Sequence, residues 1–122
     1  MGKETILIVE DDPTMLRGLQ DNFAAAGYNV VTASDGYDAE RVAKNHHGNI
    51  DLLITDMIMP GLGGYELAQR LRDSIPNIMF MSGYMGALDQ SDIASSWPVL
   101  SKPFTSRQLL AKVSEVLAKV TA

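Results

Sequence analysis

The chain has 122 residues, of which 46% are apolar, and this suits one compact domain with a single core. Its net charge of −5 disfavours direct binding to the phosphate backbone of a nucleic acid. It has no cysteine, which excludes disulfides, thiolate metal sites and cysteine nucleophiles and fits a cytoplasmic protein. No apolar run approaches the length of a membrane span, so we expect no membrane contact.

Five short apolar runs, rich in β-branched residues, predict strands. They are TILIVE (5–10), YNVVTA (28–33), IDLLITD (50–56), NIMFMS (77–82) and PVLS (98–101).

Four segments with helical periodicity lie between or after these strands. Asp12 is the expected N-cap of the first helix, with Pro13 at its first position, and Gly27 and Pro76 end the first and third helices. Residues 83–96 are small, polar and weakly periodic, and predict at most one short helix. The apolar stripes of the four helices are Leu16, Leu19 and Phe23; Ala39, Val42 and Ala43; Leu67, Ala68, Leu71 and Ile75; and Leu109, Val113, Val116, Leu117 and Val120.

Strands that alternate with helices indicate βαβ units and a parallel sheet covered on both faces, which explains why the strands are continuously apolar. Five such units favour an α/β, flavodoxin-like doubly wound sheet with the strand order 2-1-3-4-5. That fold binds ligands outside the carboxyl ends of its strands, at the point where the strand order reverses. The residues at the strand ends are therefore the candidates for function.

Polar residues stand at four of these ends. The first strand ends in Glu10, Asp11 and Asp12, the third in Asp56, the fourth in Ser82 and the fifth in Lys102. The first and third strands would be neighbours, about 4.8 Å apart, so their carboxylates would face each other across one cleft. Like charges that close need a counter-ion. A cluster of oxygen ligands selects Mg²⁺, Mn²⁺ or Ca²⁺ rather than zinc.

A carboxylate beside a metal, a lysine and a hydroxyl can attack a phosphoryl group, because phosphoryl transfer mostly requires positioning and charge neutralisation. The metal and Lys102 would take the charge, and Ser82 would donate to a phosphoryl oxygen. Asp56 would be the nucleophile and become an aspartyl phosphate. Pro60 and the glycines after it would let the loop leave the sheet sharply.

Four motifs at these strand ends resemble one family. ILIVEDDP (6–13), DMIMPGLGG (56–64), MSGY (81–84) and SKPF (101–104), in that order, look like the response-regulator receiver domain of two-component signalling. The resemblance covers nearly the whole chain, and we expect residues 1–122 to form a single receiver domain.

The resemblance implies a role for each motif residue. Asp56 is the phosphoacceptor and, with Asp11 and the backbone carbonyl of Ile58, binds Mg²⁺ directly. Glu10 is the other member of the acid pair, acting through water.

For the remaining motifs, the resemblance implies that Ser82 is the switch hydroxyl and that Lys102 contacts the phosphoryl group. It also implies a cis peptide bond between Lys102 and Pro103, an isomer that proline tolerates at modest cost. The implied phosphoryl donor is a phosphohistidine on a histidine kinase or a histidine phosphotransfer protein. MSGY with LSKPF looks most like the receivers of hybrid sensor histidine kinases; a free-standing single-domain regulator is the alternative.

Two positions depart from the family pattern. Gly63 stands where many members carry an acid, and Val99 stands where many carry an aromatic side chain that rotates on phosphorylation. Since Val99 has no ring to move, we expect the conformational change mainly in residues 83–96.

Two other functional classes share part of the pattern. A flavodoxin-like cofactor binder would need a hydroxyl- and glycine-rich phosphate loop after the first strand, where EDDPTM (10–15) places three acids. A magnesium-dependent phosphohydrolase of the haloacid dehalogenase type would need a second acid at the position of Ile58. We therefore expect a signalling domain with self-phosphorylation and dephosphorylation chemistry rather than an enzyme.

Overall fold

The fold is a five-stranded parallel sheet with helices on both faces. The computed structural model describes residues 3–83 and 97–121, with side chains described up to residue 118. The strand order is β2-β1-β3-β4-β5 and every pairing is parallel, so the predicted fold class and strand order are confirmed. The strands are β1 (Thr5–Val9), β2 (Asn29–Ala33), β3 (Leu52–Asp56), β4 (Asn77–Ser82) and β5 (Val99–Ser101).

The helices follow the sequence signals closely at their beginnings. The Asp12 side chain accepts a hydrogen bond from the Thr14 amide at 3.0 Å and caps the first helix, as predicted. Gly27, just after this helix, has a φ of 100°, a conformation that glycine adopts without strain. The helices are α1 (Pro13–Ala25), α2 (Gly36–Asn45), α3 (Gly64–Leu71) and α4 (Ser106–Thr121).

The third helix is shorter than predicted. It ends at Leu71, whereas the apolar stripe and Pro76 predicted a helix that reached Ile75. The amides of Ser74 and Ile75 both donate to the Leu71 carbonyl, at 3.0 and 2.9 Å, so the chain continues as a turn that still buries Ile75. The helix predicted within residues 83–96 lies outside the described residues, apart from Gly83.

The core consists of two clusters, one on each face of the sheet, and β1 and β3 are buried along their whole length. Alternate strand residues contribute to each cluster. The face under α2 and α3 includes Leu7, Leu53, Phe80, Ala39 and Leu67. The face under α1 and α4 includes Ile6, Ile54, Met79, Phe23 and Val113. Because both faces are packed, the edge where the strands end is the natural place for polar chemistry.

The loop from β3 to α3 passes very close to the end of β3. The Gly64 amide donates to the Met57 carbonyl at 3.0 Å. A Cβ atom on Gly64 would lie 1.9 Å from the Asp56 carbonyl oxygen, so only glycine fits there. On the neighbouring side, a Cβ atom on Gly36 would lie 2.5 Å from the Leu62 carbonyl oxygen. These two glycines let the loop pack tightly between α2 and α3.

We expect Gly64→Ala to lower the free energy of unfolding by about 1–3 kcal/mol, the usual cost of overpacking a rigid site. The atoms in the way belong to the backbone of Asp56 and Met57, which cannot rotate aside. Gly18→Ala is the matched control, because it lies inside α1 and its Cβ would meet nothing within 4 Å. It should stabilise the protein by about 0.5–1 kcal/mol. Urea unfolding measures both changes, and equal effects would contradict the close approach at Gly64.

Candidate functional site

The carboxyl ends of β1, β3, β4 and β5 meet at one edge of the sheet and surround a cleft of about 260 Å³. Asp56 of β3 pairs with Met81 of β4, and Ser82 of β4 pairs with Ser101 of β5. The sheet register therefore brings the ends of β3, β4 and β5 to the same level. The predicted site residues that line the cleft are Asp11, Asp56, Ile58, Ser82 and Lys102. The edge chosen from the sequence is therefore the edge at which these side chains come together.

Lys102 is held between two carboxylates. Its Nζ atom lies 2.6 Å from Asp56 Oδ1 and 3.1 Å from Glu10 Oε1. Its amide donates to the Ser82 carbonyl at 2.7 Å, which ties the lysine to the end of β4. The peptide bond between Lys102 and Pro103 is cis, as predicted.

Glu10 is a buried acid, 2% exposed, with partners for both of its carboxylate oxygens. Oε1 contacts Lys102, and Oε2 accepts a hydrogen bond from the Asp12 amide at 3.0 Å. Glu10, Asp11 and Asp56 each offer one oxygen atom, and these three atoms lie within 4.8 Å of one another. An all-oxygen donor set of this size suits a hard divalent cation such as Mg²⁺.

The crowding of carboxylates shifts their pKa values. Burial and a hydrogen bond with Glu10 raise the pKa of Asp56 to about 7, although Lys102 acts in the opposite direction. Burial also raises the pKa of Glu10, but its hydrogen bonds with Asp56, the Asp12 amide and Lys102 outweigh it and lower the pKa overall. A hydrogen bond with Glu10 raises the pKa of Asp11. Without a cation, the crowding of these acids thus favours a bound proton, and a bound cation would offset the same repulsion.

Ser82 and Ile58 occupy different depths of the cleft. Ser82 is buried, and Ile58 is 62% exposed in the loop after β3. The carbonyls of Asp56 and Met57 already accept hydrogen bonds, from the Thr55 hydroxyl at 2.9 Å and from the Gly64 amide. The Ile58 carbonyl is the next along the loop, and its role as a metal ligand stays a prediction.

The contact from Thr55 was not anticipated from the sequence. The sequence feature that could have predicted this contact is a hydroxyl residue directly before the acid at the strand end. A threonine inside a strand, however, is normally explained by β propensity alone.

Aromatic packing near β5 comes from Trp97 and not from the position of Val99. Val99 is half-buried opposite Phe80. Two positions earlier, the ring of Trp97 lies edge-on, 5.8 Å from Phe80 and 5.9 Å from Tyr65, and the Arg72 guanidinium carbon is 5.9 Å from the Trp97 ring centre. These contacts make Trp97 a packing residue. The change expected in residues 83–96 falls almost entirely outside the described part of the chain.

The family model and the curated proteins that match this chain point to the same family. Residues 6–114 match the family described as "Response regulator receiver domain". The chain is 38% identical to the response regulator receiver protein CpdR of Brucella abortus, covering 92% of this chain and 95% of that protein. It is 31% identical to the sensor kinase CckA of the same organism, covering 97% of this chain but 13% of that protein. It spans about half the length of several other curated relatives.

Solved structures agree in fold. A crystal structure of a response regulator receiver domain protein from Clostridium thermocellum superposes with a TM-score of 0.85 at 26% identity, covering 97% of each chain. The receiver domain of the hybrid histidine kinase CckA superposes with a TM-score of 0.79 at 34% identity, covering 93% of this chain and 98% of that one.

Among the described residues, no helix is long and apolar enough to cross a membrane.

In magnesium-free buffer, we expect Asp56→Asn to stabilise the protein at about pH 8 and to lose this advantage as the pH falls. The pKa of Asp56 is about 7 in the folded protein and about 4 in an unfolded chain. Between these values the folded protein holds a proton that the unfolded chain lacks, so wild-type stability falls as the pH rises through this window. Urea unfolding at several pH values measures the difference.

The control for this pH dependence is Asp38→Asn. A hydrogen bond with Arg41 lowers the pKa of Asp38, so this substitution should change stability by a constant amount at every pH above about 5. An effect of Asp56→Asn that does not vary between about pH 5 and pH 8 would contradict the raised pKa of Asp56.

Proposed function

The chain belongs to the response-regulator receiver family, and we propose that it accepts a phosphoryl group from a phosphohistidine onto Asp56, with bound Mg²⁺. The observation that carries this proposal is the contact of 2.6 Å between Asp56 Oδ1 and Lys102 Nζ in the cleft where the strand order reverses. At this place a nucleophilic oxygen, a fixed positive charge and two further acids stand side by side.

The proposed reaction moves one phosphoryl group between two nucleophiles. An Asp56 carboxylate oxygen forms the new P–O bond while the P–N bond to the donor histidine breaks. The imidazole leaves with the bonding electron pair and takes a proton from water. Negative charge on the phosphoryl oxygens is stabilised by Lys102 and by a hydrogen bond from the Ser82 hydroxyl. When bound, Mg²⁺ supplies further charge neutralisation at the same oxygens.

The acids of the site would bind the ion in two ways, directly or through water. Asp11, Asp56 and the backbone carbonyl of Ile58 would bind it directly, and Glu10 would act through water. Both Glu10 oxygens already have protein partners, Lys102 and the Asp12 amide, which supports an outer position for this acid. Asp11 is exposed at the rim of the cleft, where an ion can enter without rearrangement of the core.

We further propose that residues 1–122 are one receiver domain that works in the cytoplasm with a histidine kinase or a histidine phosphotransfer protein as partner. The domain signals by a change of conformation and is a substrate of the reaction, so we do not class it as an enzyme with turnover. The similarity to the sensor kinase CckA supports a place in a hybrid sensor histidine kinase. The similarity to CpdR over 95% of its length favours the alternative, a free-standing regulator. The sequence of the gene on both sides of this segment decides between them.

Incubation with a small phosphodonor and Mg²⁺ should add one phosphoryl group, and Asp56→Asn should abolish the addition. Intact-mass spectrometry measures the labelling. Asp12→Asn is the matched control, because Asp12 belongs to the same acidic stretch but caps α1, a role that asparagine fills equally well. Labelling of Asp56→Asn at the wild-type level would remove Asp56 from the role of phosphoacceptor.

Asp11→Asn should weaken the binding of Mg²⁺ to the unphosphorylated protein by more than the roughly tenfold that loss of an outer partner costs. Asp11 is exposed, so the substitution should leave the free energy of unfolding in chelator almost unchanged. A titration with Mg²⁺ followed by amide chemical shifts gives the dissociation constant, with Asp12→Asn again as control. If Asp11→Asn binds Mg²⁺ as the wild type does, the metal site lies elsewhere.

A further inference from the structure

The peptide unit that links Asp56 to Met57 is held at both of its polar atoms. Its N–H group, on Met57, donates to the Met81 carbonyl of β4 at 3.0 Å. Its carbonyl, on Asp56, accepts a hydrogen bond from the Thr55 hydroxyl at 2.9 Å. Asp56 is the last residue of β3, so the strand ladder ends here and a side chain supplies the donor. This peptide plane is therefore fixed from two directions.

The helix that follows closes the space around the same carbonyl. A Cβ atom on Gly64 would lie 1.9 Å from the Asp56 carbonyl oxygen, so the backbone of α3 begins in direct contact with it. The carbonyl is thus enclosed between the Thr55 hydroxyl and the first residue of α3. It has no room to swing while both neighbours are in place.

The Thr55 side chain makes this hydrogen bond from the face of the sheet opposite to the face on which the Asp56 side chain lies. Successive side chains of a strand point to opposite faces. The Thr55 hydroxyl lies 3.9 Å from the sulfur of Met59, which belongs to the core cluster under α2 and α3. Asp56 points the other way, into the cleft, and Thr55 does not line that cleft. Thr55 is fully buried and meets the site only through the backbone.

We propose that Thr55 is a positioning residue for the phosphoacceptor site. Its hydroxyl fixes the plane of the Asp56–Met57 peptide, and this plane sets both the direction of the Asp56 carboxylate and the path of the chain to the Ile58 carbonyl. The inference rests on the proposed function of Asp56 and Ile58 as metal ligands. A rotated peptide would displace these two groups relative to each other, since one precedes the plane and the other follows it.

A second explanation is that the hydroxyl only satisfies its own hydrogen-bonding needs inside the core. The two explanations predict different effects for two substitutions. Thr55→Val keeps the branched shape and removes the hydroxyl, whereas Thr55→Ser keeps the hydroxyl and removes a methyl group. Thr32→Val, on the edge strand β2, is the matched control for the loss of a threonine hydroxyl away from the site.

The experiment measures three quantities for each variant of the full chain: the dissociation constant of Mg²⁺, the exchange rate of the Met57 amide without Mg²⁺, and the free energy of unfolding in chelator. We expect Thr55→Val to weaken Mg²⁺ binding roughly tenfold or more, as loss of a partner that orients a ligand does. Its Met57 amide should exchange severalfold faster. Thr55→Ser should lose stability through the missing methyl group but keep the affinity for Mg²⁺, and Thr32→Val should keep both.

Three results would overturn the inference. These are a wild-type affinity for Mg²⁺ in Thr55→Val, an equal loss of affinity in Thr55→Ser, and a loss of affinity that follows the free energy of unfolding across all variants. Failure of the wild type to bind Mg²⁺ would instead overturn the proposed function. In that case the Met57 exchange rate, measured without the ion, still decides whether the Thr55 hydroxyl holds the peptide.

Discussion

Glu10 and Asp56 share one lysine at a buried edge of the sheet, and the arrangement of the site depends on the charge that this sharing leaves unbalanced. At an effective dielectric constant of about 20, two unit charges about 4 Å apart interact by roughly 4 kcal/mol. That is a large part of the roughly 5–15 kcal/mol by which a domain is stable. Two buried carboxylates with a single cation therefore favour binding of a proton or a second cation, and burial beside Glu10 raises the pKa of Asp56 accordingly.

The backbone around Asp56 keeps this costly arrangement in place. The strand delivers the carboxylate to the edge, and the loop that follows folds back at once because Gly64 allows α3 to begin against the Asp56 carbonyl. Hydrogen bonds from Thr55 and to Met81 hold the first peptide after the strand. The Asp56 carboxylate thus lies on firmly held backbone rather than on a free loop, and its distance to Lys102 is short.

Much of this could be predicted from the sequence, for identifiable reasons. Continuous apolar runs mark buried parallel strands, and parallel strands bring their carboxyl ends to one edge, so Asp56, Ser82 and Lys102 could be placed together without coordinates. The end of α3 could not be predicted from the sequence. The apolar stripe that reaches Ile75 is consistent both with a longer helix and with a turn that buries the same side chain. The contact of Thr55 was also hidden, since it depends on where a backbone carbonyl points.

The chain contains a single tryptophan, and its position has a practical consequence. Trp97 touches the rings of Phe80 in β4 and Tyr65 in α3, so its indole reports on the packing of α3 against β4. The Arg72 cation over its face adds a polar neighbour to which the emission of an indole is sensitive. The domain thus contains an intrinsic fluorophore beside Phe80, the residue with which Val99 pairs. Events at that side can be followed by emission spectroscopy without attaching a label.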